Sequence, residues 1–294
     1  MAIIVNTNVD SLKVQRNLNA ATSGASKAME RMTTGLKINN ASDDAAGLVI
    51  SKGIETQQRG SEVAIKNAQN GINMLQTAEG NLDQVQNHLL AIHDLTLQAM
   101  NGGYSVSEVQ ALENEAKARA EEIDRISNGA MFNEFKLFDD TKTAADSTVT
   151  LQIGANSDKV TNTIDVKGVF FNATMSALTG GTSSASFAFT TGTGSSAAIK
   201  DRAAMETTLN AVKSGIKEVS ERRGVIGASS VRLNAAVDNL TVQNENLSAA
   251  NSRIKDADIA KESSNYTNQS ILQQASASLL VQANQSPSIA LTLI

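Results

Sequence analysis

Two groups of residues have types and spacings that could support cofactor or metal chemistry. The segment Gly192-Thr-Gly-Ser-Ser-Ala197 follows the pattern of a loop that binds a dinucleotide, but no strand–helix–strand unit surrounds it. His88 and His93 are five residues apart, which places them on different faces of a helix rather than side by side as zinc ligands. We therefore expect no catalytic residue, no cofactor and no metal site.

A third group is the adjacent carboxylates Asp43 and Asp44, which could act as an acid pair. At the start of a helix, acidic side chains more commonly cap the backbone amides and complement the helix dipole.

The chain has no cysteine, which excludes disulfides, thiolate metal sites and cysteine nucleophiles. These observations favour a structural role. The enzymatic alternative is a protein that uses the Gly192 loop and retains its cofactor during purification.

The composition of this 294-residue chain suits long helices packed side by side, since aromatic residues make up only 3%. The single proline, Pro287, leaves the rest of the chain free of helix breakers. The 25 basic and 30 acidic residues form no basic cluster that would grip nucleic acid. No apolar run approaches the roughly 18 residues that span a bilayer, and residues 1–5 lack the basic flank of a secretory signal. We expect neither a nucleic-acid partner nor membrane insertion.

The C-terminal segment 263–294 contains no Asp, Glu, Lys or Arg, yet its apolar residues recur at helical spacing. A helix without a charged outer face is more at home against protein than against water. It is either a buried helix of a monomer or a surface that other copies complete, and the rest of the chain favours self-assembly. The expected assembly seam combines this segment with an N-terminal one: Leu18, Ala25, Met32, Ile271, Leu272, Ala275, Leu279 and Leu280.

Heptad patterns predict three long helices in the remainder of the chain. Between residues 205 and 254 every seventh residue is apolar: Met205, Val212, Val219, Ile226, Leu233, Leu240, Leu247 and Ile254. Two further segments, 75–99 and 109–126, share this spacing and flank Asn101-Gly-Gly103, a reversal signal that predicts an antiparallel hairpin. A fourth segment near the N-terminus has a seam of small residues, which buries too little area to hold a helix alone.

The middle of the chain, 141–198, is rich in Thr, Ser, Gly and Ala and has no heptads. Alternating stretches at Val149–Ile153 and Thr163–Val166 predict strands, with a third candidate at Ser186–Thr190. Small polar residues offer little to bury, so we expect a surface-exposed insert. The predicted fold class is mainly α: a long antiparallel helical rod or coiled coil made from both termini, with a small insert rich in β-hairpins.

Several segments near both ends of the chain have highly specific sequences. The most specific is the block Met32-Thr-Thr-Gly-Leu-Lys-Ile-Asn-Asn-Ala-Ser-Asp-Asp-Ala-Ala-Gly-Leu-Val-Ile-Ser51, called the signature block below. The others are Asn70-Gly-Ile-Asn-Met-Leu-Gln-Thr-Ala-Glu-Gly80, Glu122-Ile-Asp-Arg-Ile-Ser127, Glu245-Asn-Leu-Ser-Ala-Ala-Asn-Ser-Arg-Ile-Lys-Asp-Ala-Asp258 and Leu280-Val-Gln-Ala-Asn-Gln285. These segments closely resemble the bacterial flagellins, and the similarity covers about residues 1–155 and 205–294.

The resemblance implies a subunit that polymerises into the extracellular flagellar filament and is exported unfolded by the flagellar type III apparatus. It implies three regions: residues 1–44 with 255–294 as a terminal helical pair forming the inner tube, 45–160 with 199–254 as a helical rod carrying a β-hairpin, and 161–198 as a short exposed variable insert. The alternatives are a hook–filament junction protein of the same architecture and a soluble coiled-coil scaffold, which would stay a discrete oligomer.

The implied partners are other copies of the chain, an export chaperone at the C-terminal tail, the filament cap and the hook-junction proteins. Flagellins detected by the vertebrate innate receptor present an Arg, a Leu and a Glu on their outer helices. Leu95 and Glu115 match the last two, but Ala91 stands where the family has Arg. Loss of an Arg from the centre of an interface weakens binding strongly, so we expect poor recognition by that receptor.

Overall fold

The computed structural model describes residues 7–138, 148–181, 188–191, 198–200 and 202–291, with side chains as far as Gln285. The predicted loop Gly192–Ala197 and the first two residues of the candidate strand Ser186–Thr190 lie outside these residues, and of that strand only Thr190 is in a described strand. The fold is mainly α. Its elements are α1 (Val9–Thr34), α2 (Ala45–Ala99), α3 (Val106–Gly129), β1 (Met131–Phe132), β2 (Phe135–Lys136), β3 (Thr148–Gln152), α4 (Lys159–Asn162), β4 (Thr163–Lys167), α5 (Met175–Leu178), β5 (Thr190–Thr191), β6 (Ala198–Ile199), α6 (Arg202–Lys255) and α7 (Ile259–Leu291).

The chain divides into two compact units. We call residues 1–58 with 244–294 the terminal unit and residues 59–243 the central unit. The boundaries predicted from sequence, at 44 and 255, lie nearer the two ends of the chain than these divisions at 58 and 244. The three-region division therefore remains a prediction.

The core of the central unit is built from the heptad positions of α2, α3 and α6. The heptad positions of α6 are buried as far as Leu240. Those of α2 are all buried: Leu75, Ala78, Leu82, Val85, Leu89, Ile92, Thr96 and Ala99. In α3 the buried positions include Val109, Ala116 and Ile123, while Leu112 and Ile126 pack against the core partly exposed. The heptad spacing thus correctly identified the face that each helix buries.

The predicted break at Asn101-Gly-Gly103 is confirmed, since α2 ends at Ala99 and α3 begins at Val106. The start of α3 carries a capping box that the sequence analysis missed: the Glu108 amide donates to Ser105 Oγ (3.4 Å), and the Ser105 amide donates to the Glu108 carboxylate (2.7 Å). The two bonds satisfy amides that would otherwise lack a partner at the helix start. The Ser105 amide and, after it, the Ser105 hydroxyl (2.8 Å) donate to the Glu108 carboxylate and lower the pKa of Glu108 below its ordinary value.

The predicted β-hairpin is also confirmed: β3 pairs antiparallel with β4, with Val149 opposite Val166 and Leu151 opposite Ile164. The hairpin packs on α2 where that helix presents glycines. A Cβ at Gly60 would lie 2.5 Å from the Ala155 Cβ, and one at Gly71 would collide with the Leu151 side chain. Asn67, on the same helix, donates to the Gln152 carbonyl (3.2 Å). Small residues on α2 therefore set how closely the hairpin approaches.

The expectation that 161–198 offers little to bury is wrong for the part of it that the structure describes. Its apolar residues lie in the central core: Ile164, Val166, Val169, Phe170, Phe171, Ala173, Met175, Leu178 and Phe189. All seven phenylalanines of the chain fall between positions 132 and 189, which the low overall aromatic content conceals. Their clustering gives this segment the large side chains that a small core needs.

Candidate assembly surface

Helix α1 is delimited by local signals at both ends. The Asn8 side chain caps its first turn by accepting from the Ser11 amide (3.0 Å). At the other end Gly35 adopts a φ of 71° and its amide donates to the Arg31 carbonyl (2.9 Å). This left-handed conformation is accessible to glycine without a steric penalty.

Helices α1 and α7 run antiparallel, and polar contacts fix their register along the pair. At one end the Asn8 side chain donates to the Ala283 carbonyl (2.7 Å). In the middle Gln273 donates to Thr22 (3.2 Å), and at the far end Arg31 pairs with Glu262 (3.3 Å). The pairing of N- and C-terminal helices implied by the resemblance is present.

Small residues let the two helices approach closely. The buried side chains of α1 are Ala21, Ala25 and Ala28, three and four residues apart on one face. Between them, a Cβ at Gly24 would lie 2.9 Å from the Gln269 side chain. A seam of this kind gives close contact but little apolar burial.

The predicted seam residues fall into two groups. On α1, the side chain of Ala25 is buried, and those of Leu18 and Met32 are half-buried. On α7, Ile271, Leu272 and Leu279 are 58%, 52% and 53% exposed, Ala275 is exposed and Leu280 is half-buried. The contact within the α1–α7 pair therefore uses the α1 alanines and leaves Ala275 exposed, and the assembly role of Ala275 stays a prediction. The large apolar residues of α7 are left on the surface of a single chain.

The signature block folds into a loop held by the Asp43 carboxylate. Asp43 accepts from the Asn39 and Asn40 amides (both 3.2 Å) and pairs with Lys27 of α1 at 2.6 Å. The Lys27 contact, followed by the Asn40 amide, lowers the pKa of Asp43 to about 2. Asp44 accepts from the Gly47 amide (2.9 Å) in the first turn of α2. Asp44 thus caps a helix as expected, whereas Asp43 organises a loop.

The same loop is joined to the chain between α6 and α7. The Lys37 amide donates to the Lys255 carbonyl (2.7 Å) and the Ala257 amide donates to the Gly35 carbonyl (2.9 Å). Ser51, which is buried, donates to Asn251 (2.7 Å). Lys27, Ser51 and Asn251 were not singled out from the sequence, because no local spacing shows that Lys27 will meet Asp43 or that Ser51 will meet Asn251, 200 positions away.

The candidate receptor-facing residues lie in the central unit and are not brought together on its surface. Leu95 is only 7% exposed and packs in the core, so the prediction that it faces a receptor is wrong for this residue. Glu115 is exposed and pairs with Arg119 (2.7 Å). Ala91, at the position where the family has Arg, is half-buried.

Neither metal clusters nor membrane-spanning segments occur in the described part of the chain. No three His, Asp or Glu side chains there converge in a way that could hold a metal ion. None of the helices combines the length and the hydropathy needed to cross a bilayer.

Comparisons with known proteins agree with this architecture. The family model for the bacterial flagellin N-terminal helical region matches residues 5–143, and that for the bacterial flagellin C-terminal helical region matches residues 209–294. A solved structure described as a flagellar hook-associated protein from Vibrio parahaemolyticus has a TM-score of 0.58 at 18% identity, covering 73% of this chain and all of that one. At this identity the likeness concerns the fold alone.

Two curated relatives extend the match to the whole chain. It is 38% identical over 292 residues to a flagellin of Halalkalibacterium halodurans, covering 99% of this chain and 100% of the relative. It is also 38% identical over 302 residues to a flagellin of Bacillus subtilis, covering 99% of each. The hook–filament alternative gains no comparable support. The chain belongs to the bacterial flagellins, the structural subunits of the extracellular flagellar filament.

Proposed function

We propose that the chain polymerises through the exposed apolar side chains of α1 and α7. The observation that carries this proposal is the exposure of large apolar residues along two helices that already contact each other. On α1, Val9, Leu12 and Met29 are 50%, 54% and 50% exposed. On α7 the corresponding group is Ile271, Leu272, Leu279 and Val281, of which Val281 is 60% exposed.

The energetics favour contact with further copies. Burying one such side chain fully contributes about 1.5–3 kcal/mol, so covering several of them supplies a substantial driving force. Residues 263–294 contain no Asp, Glu, Lys, Arg or His, so no charged side chain of this segment would have to be desolvated at such a contact. The segment also lacks the charged outer face that a helix exposed to water normally has.

A charge at one exposed apolar position tests the proposal. Leu279→Asp should raise the critical concentration for polymerisation by roughly tenfold or more, because an unpaired carboxylate is costly to bury. The matched control is Gln274→Asp, which adds the same charge at an exposed polar position of the same helix. Sedimentation and electron microscopy of seeded samples give the readout. Equal critical concentrations for wild type and Leu279→Asp would show that Leu279 faces water in the filament.

The export route and the further partners are inferred from the membership of this chain in the flagellins. Export of the unfolded chain by the flagellar type III apparatus, capture of the tail by an export chaperone, and contact with the cap and hook-junction proteins are the steps that we infer for this subunit. We also infer no catalytic activity, and poor recognition by the vertebrate innate receptor because Ala91 replaces Arg. Co-purification of the chaperone with full-length chain but not with a chain lacking residues 265–294 would support the tail as its site.

A further inference from the structure

A cationic pocket lies in the central unit, apart from α1 and α7. It has a volume of about 540 Å³, and its lining residues are Lys159, Val160, Thr163, Asp165, Lys167 and Arg232. Thr163, Asp165 and Lys167 alternate along β4, so they share the face opposite the buried Ile164 and Val166. Lys159 begins α4, and Arg232 comes from α6.

The three cations of the pocket have no counter-ion in the described part of the chain. Lys159, Lys167 and Arg232 take part in none of its ion pairs. The lining has one carboxylate, Asp165, which instead accepts from the Thr150 hydroxyl (2.8 Å). The pocket therefore concentrates positive charge on a chain whose net charge is −5.

The rim of the pocket favours a protein occupant over a small free anion. Val160, which lines the pocket, is 88% exposed, and a small anion would leave that side chain in water. A protein surface would cover Val160 while supplying the missing negative charge. In a homopolymer the neighbouring surface has this same sequence, in which acidic residues outnumber basic ones by 30 to 25. Exposed carboxylates outside the ion pairs of the described residues include Glu121, Glu134 and Asp238.

We propose that this pocket receives an acidic side chain of a neighbouring copy of this chain. The bond is a charge-assisted contact from Lys159, Lys167 or Arg232 to a carboxylate, with Val160 buried beside it. It rests on the proposed function, because it requires a polymer. It is a second contact between subunits, made by the central unit and chemically unlike the apolar contacts of α1 and α7.

Zero-length cross-linking of filaments tests the contact directly. Filaments are grown from an equal mixture of ¹⁴N- and ¹⁵N-labelled chains and treated with a carbodiimide, which joins a lysine amine to a carboxylate in direct contact. We expect mixed-isotope cross-links from Lys159 or Lys167 to an Asp or Glu. Filaments whose cross-links at other lysines are mixed, but which give none at these two, would overturn the proposal. Failure to form filaments at all would count instead against the proposed function.

Charge reversal provides an independent test. Arg232→Glu should raise the critical concentration about two- to fivefold, the effect of losing one exposed ion pair, and Arg232→Lys should preserve it. Lys213→Glu is the matched control, because it makes the same charge change at an exposed position of α6 away from the pocket. Far-UV circular dichroism of each monomer checks that the helices form. An unchanged critical concentration for Arg232→Glu would contradict the proposal.

Titration of the monomer with inorganic phosphate tests the alternative that the pocket binds a small free anion. We expect no saturable binding, because the pocket is open and contacts between exposed charges and a mobile ion are weak in water. Saturable phosphate binding that Arg232→Glu abolishes, without mixed-isotope cross-links in filaments, would replace the subunit contact by a small-anion site.

Discussion

Glu113 shows how a single buried carboxylate organises the segment that precedes α6. One carboxylate oxygen of Glu113 accepts from the Phe189 amide (2.9 Å), the Thr190 amide (2.9 Å) and the Thr190 hydroxyl (2.7 Å). The other accepts from Lys117 (2.6 Å). Burial alone would raise the pKa of Glu113. The hydrogen bonds, that from Lys117 first, lower it by more than burial raises it, so the pKa of Glu113 lies below its ordinary value of 4.5. Glu113 therefore fastens the strand at Thr190 to α3.

Replacing this carboxylate should weaken the central unit in a pH-dependent way. Glu113→Gln should lower the free energy of unfolding by about 1–3 kcal/mol at neutral pH, because buried donors lose an ionised acceptor. A lowered folded-state pKa stabilises the fold above the unfolded value near 4.5, and this stabilisation is lost as the pH falls through the folded value. The difference between wild type and variant should therefore shrink in acid.

Urea unfolding of the monomer, followed by circular dichroism, measures the free energies of unfolding of wild type and Glu113→Gln at neutral and at acidic pH. Glu115→Gln, on the exposed side of the same helix, is the control and should change stability by no more than about 0.5 kcal/mol. A deficit for Glu113→Gln that stays constant with pH would show that its charge is irrelevant.

Asp43 gives a second residue-level prediction, in the terminal unit. Its contribution is complete above the ordinary pKa of 3.8 and is lost as the pH falls toward 2. Asp43→Asn filaments should therefore dissociate at a higher pH than wild type during acid titration followed by light scattering. Asp44→Asn is the control, since asparagine caps a helix as well as aspartate. Dissociation of both variants at the wild-type pH would remove Asp43 from the assembly.

At the scale of elements, helix faces were predictable and their partners were not. Heptad spacing identified the buried face of α2 because a repeating apolar row requires a packing surface whatever that surface is. Arg223 sits in the heptad register of α6, and only the structure shows that it donates to Gln86 (2.7 Å) and pairs with Asp83 (2.9 Å) on α2. Such pairs depend on tertiary register, which local periodicity does not encode. The phenylalanine cluster of residues 132–189 was missed because its apolar residues follow no single period.

The glycines of α2 offer a test of how an element is docked. Gly60→Ala should lower the free energy of unfolding by about 1–3 kcal/mol, because its Cβ would lie 2.5 Å from the Ala155 Cβ and 3.1 Å from the Ala155 Cα. Gly80→Ala, in the same helix with no atom within 4 Å of the added Cβ, should stabilise the helix by about 0.5–1 kcal/mol.

Thermal unfolding of the Gly60→Ala and Gly80→Ala monomers tests whether the first is less stable and the second more stable than wild type. Stabilisation by both alanines would mean that the β3–β4 hairpin is free to move away from α2. A lower melting temperature for both would mean that α2 has another neighbour at Gly80.

For the whole molecule, the division into two units predicts a separable effect of truncation. Deleting residues 265–294 removes the α7 contacts to Asn8, Ser11 and Thr22 but none of the core residues of the central unit. We expect the truncated chain to form no filaments while keeping the urea unfolding transition of the central unit. Normal filaments from this chain would remove α7 from the assembly mechanism.

The last prediction concerns the free monomer, in which residues 1–40 and 260–294 should exchange their amide hydrogens rapidly. Ordering about 75 residues costs roughly 1–2 kcal/mol each in backbone entropy. Against this cost, the seam within the α1–α7 pair buries the side chains of Ala21, Ala25 and Ala28, which are among the smallest. The larger apolar residues that could recover the difference, such as Ile271 and Leu279, are more than half exposed in one chain.

Their burial by neighbours would couple folding of the termini to assembly. Hydrogen exchange followed by mass spectrometry should therefore show both termini protected in filaments and unprotected in monomers, while the buried heptad positions of α2 are protected in both. Protection of residues 1–40 and 260–294 in the monomer would mean that the α1–α7 pair is stable alone. The apolar surface of α7 would then serve docking between folded subunits instead of completing their fold.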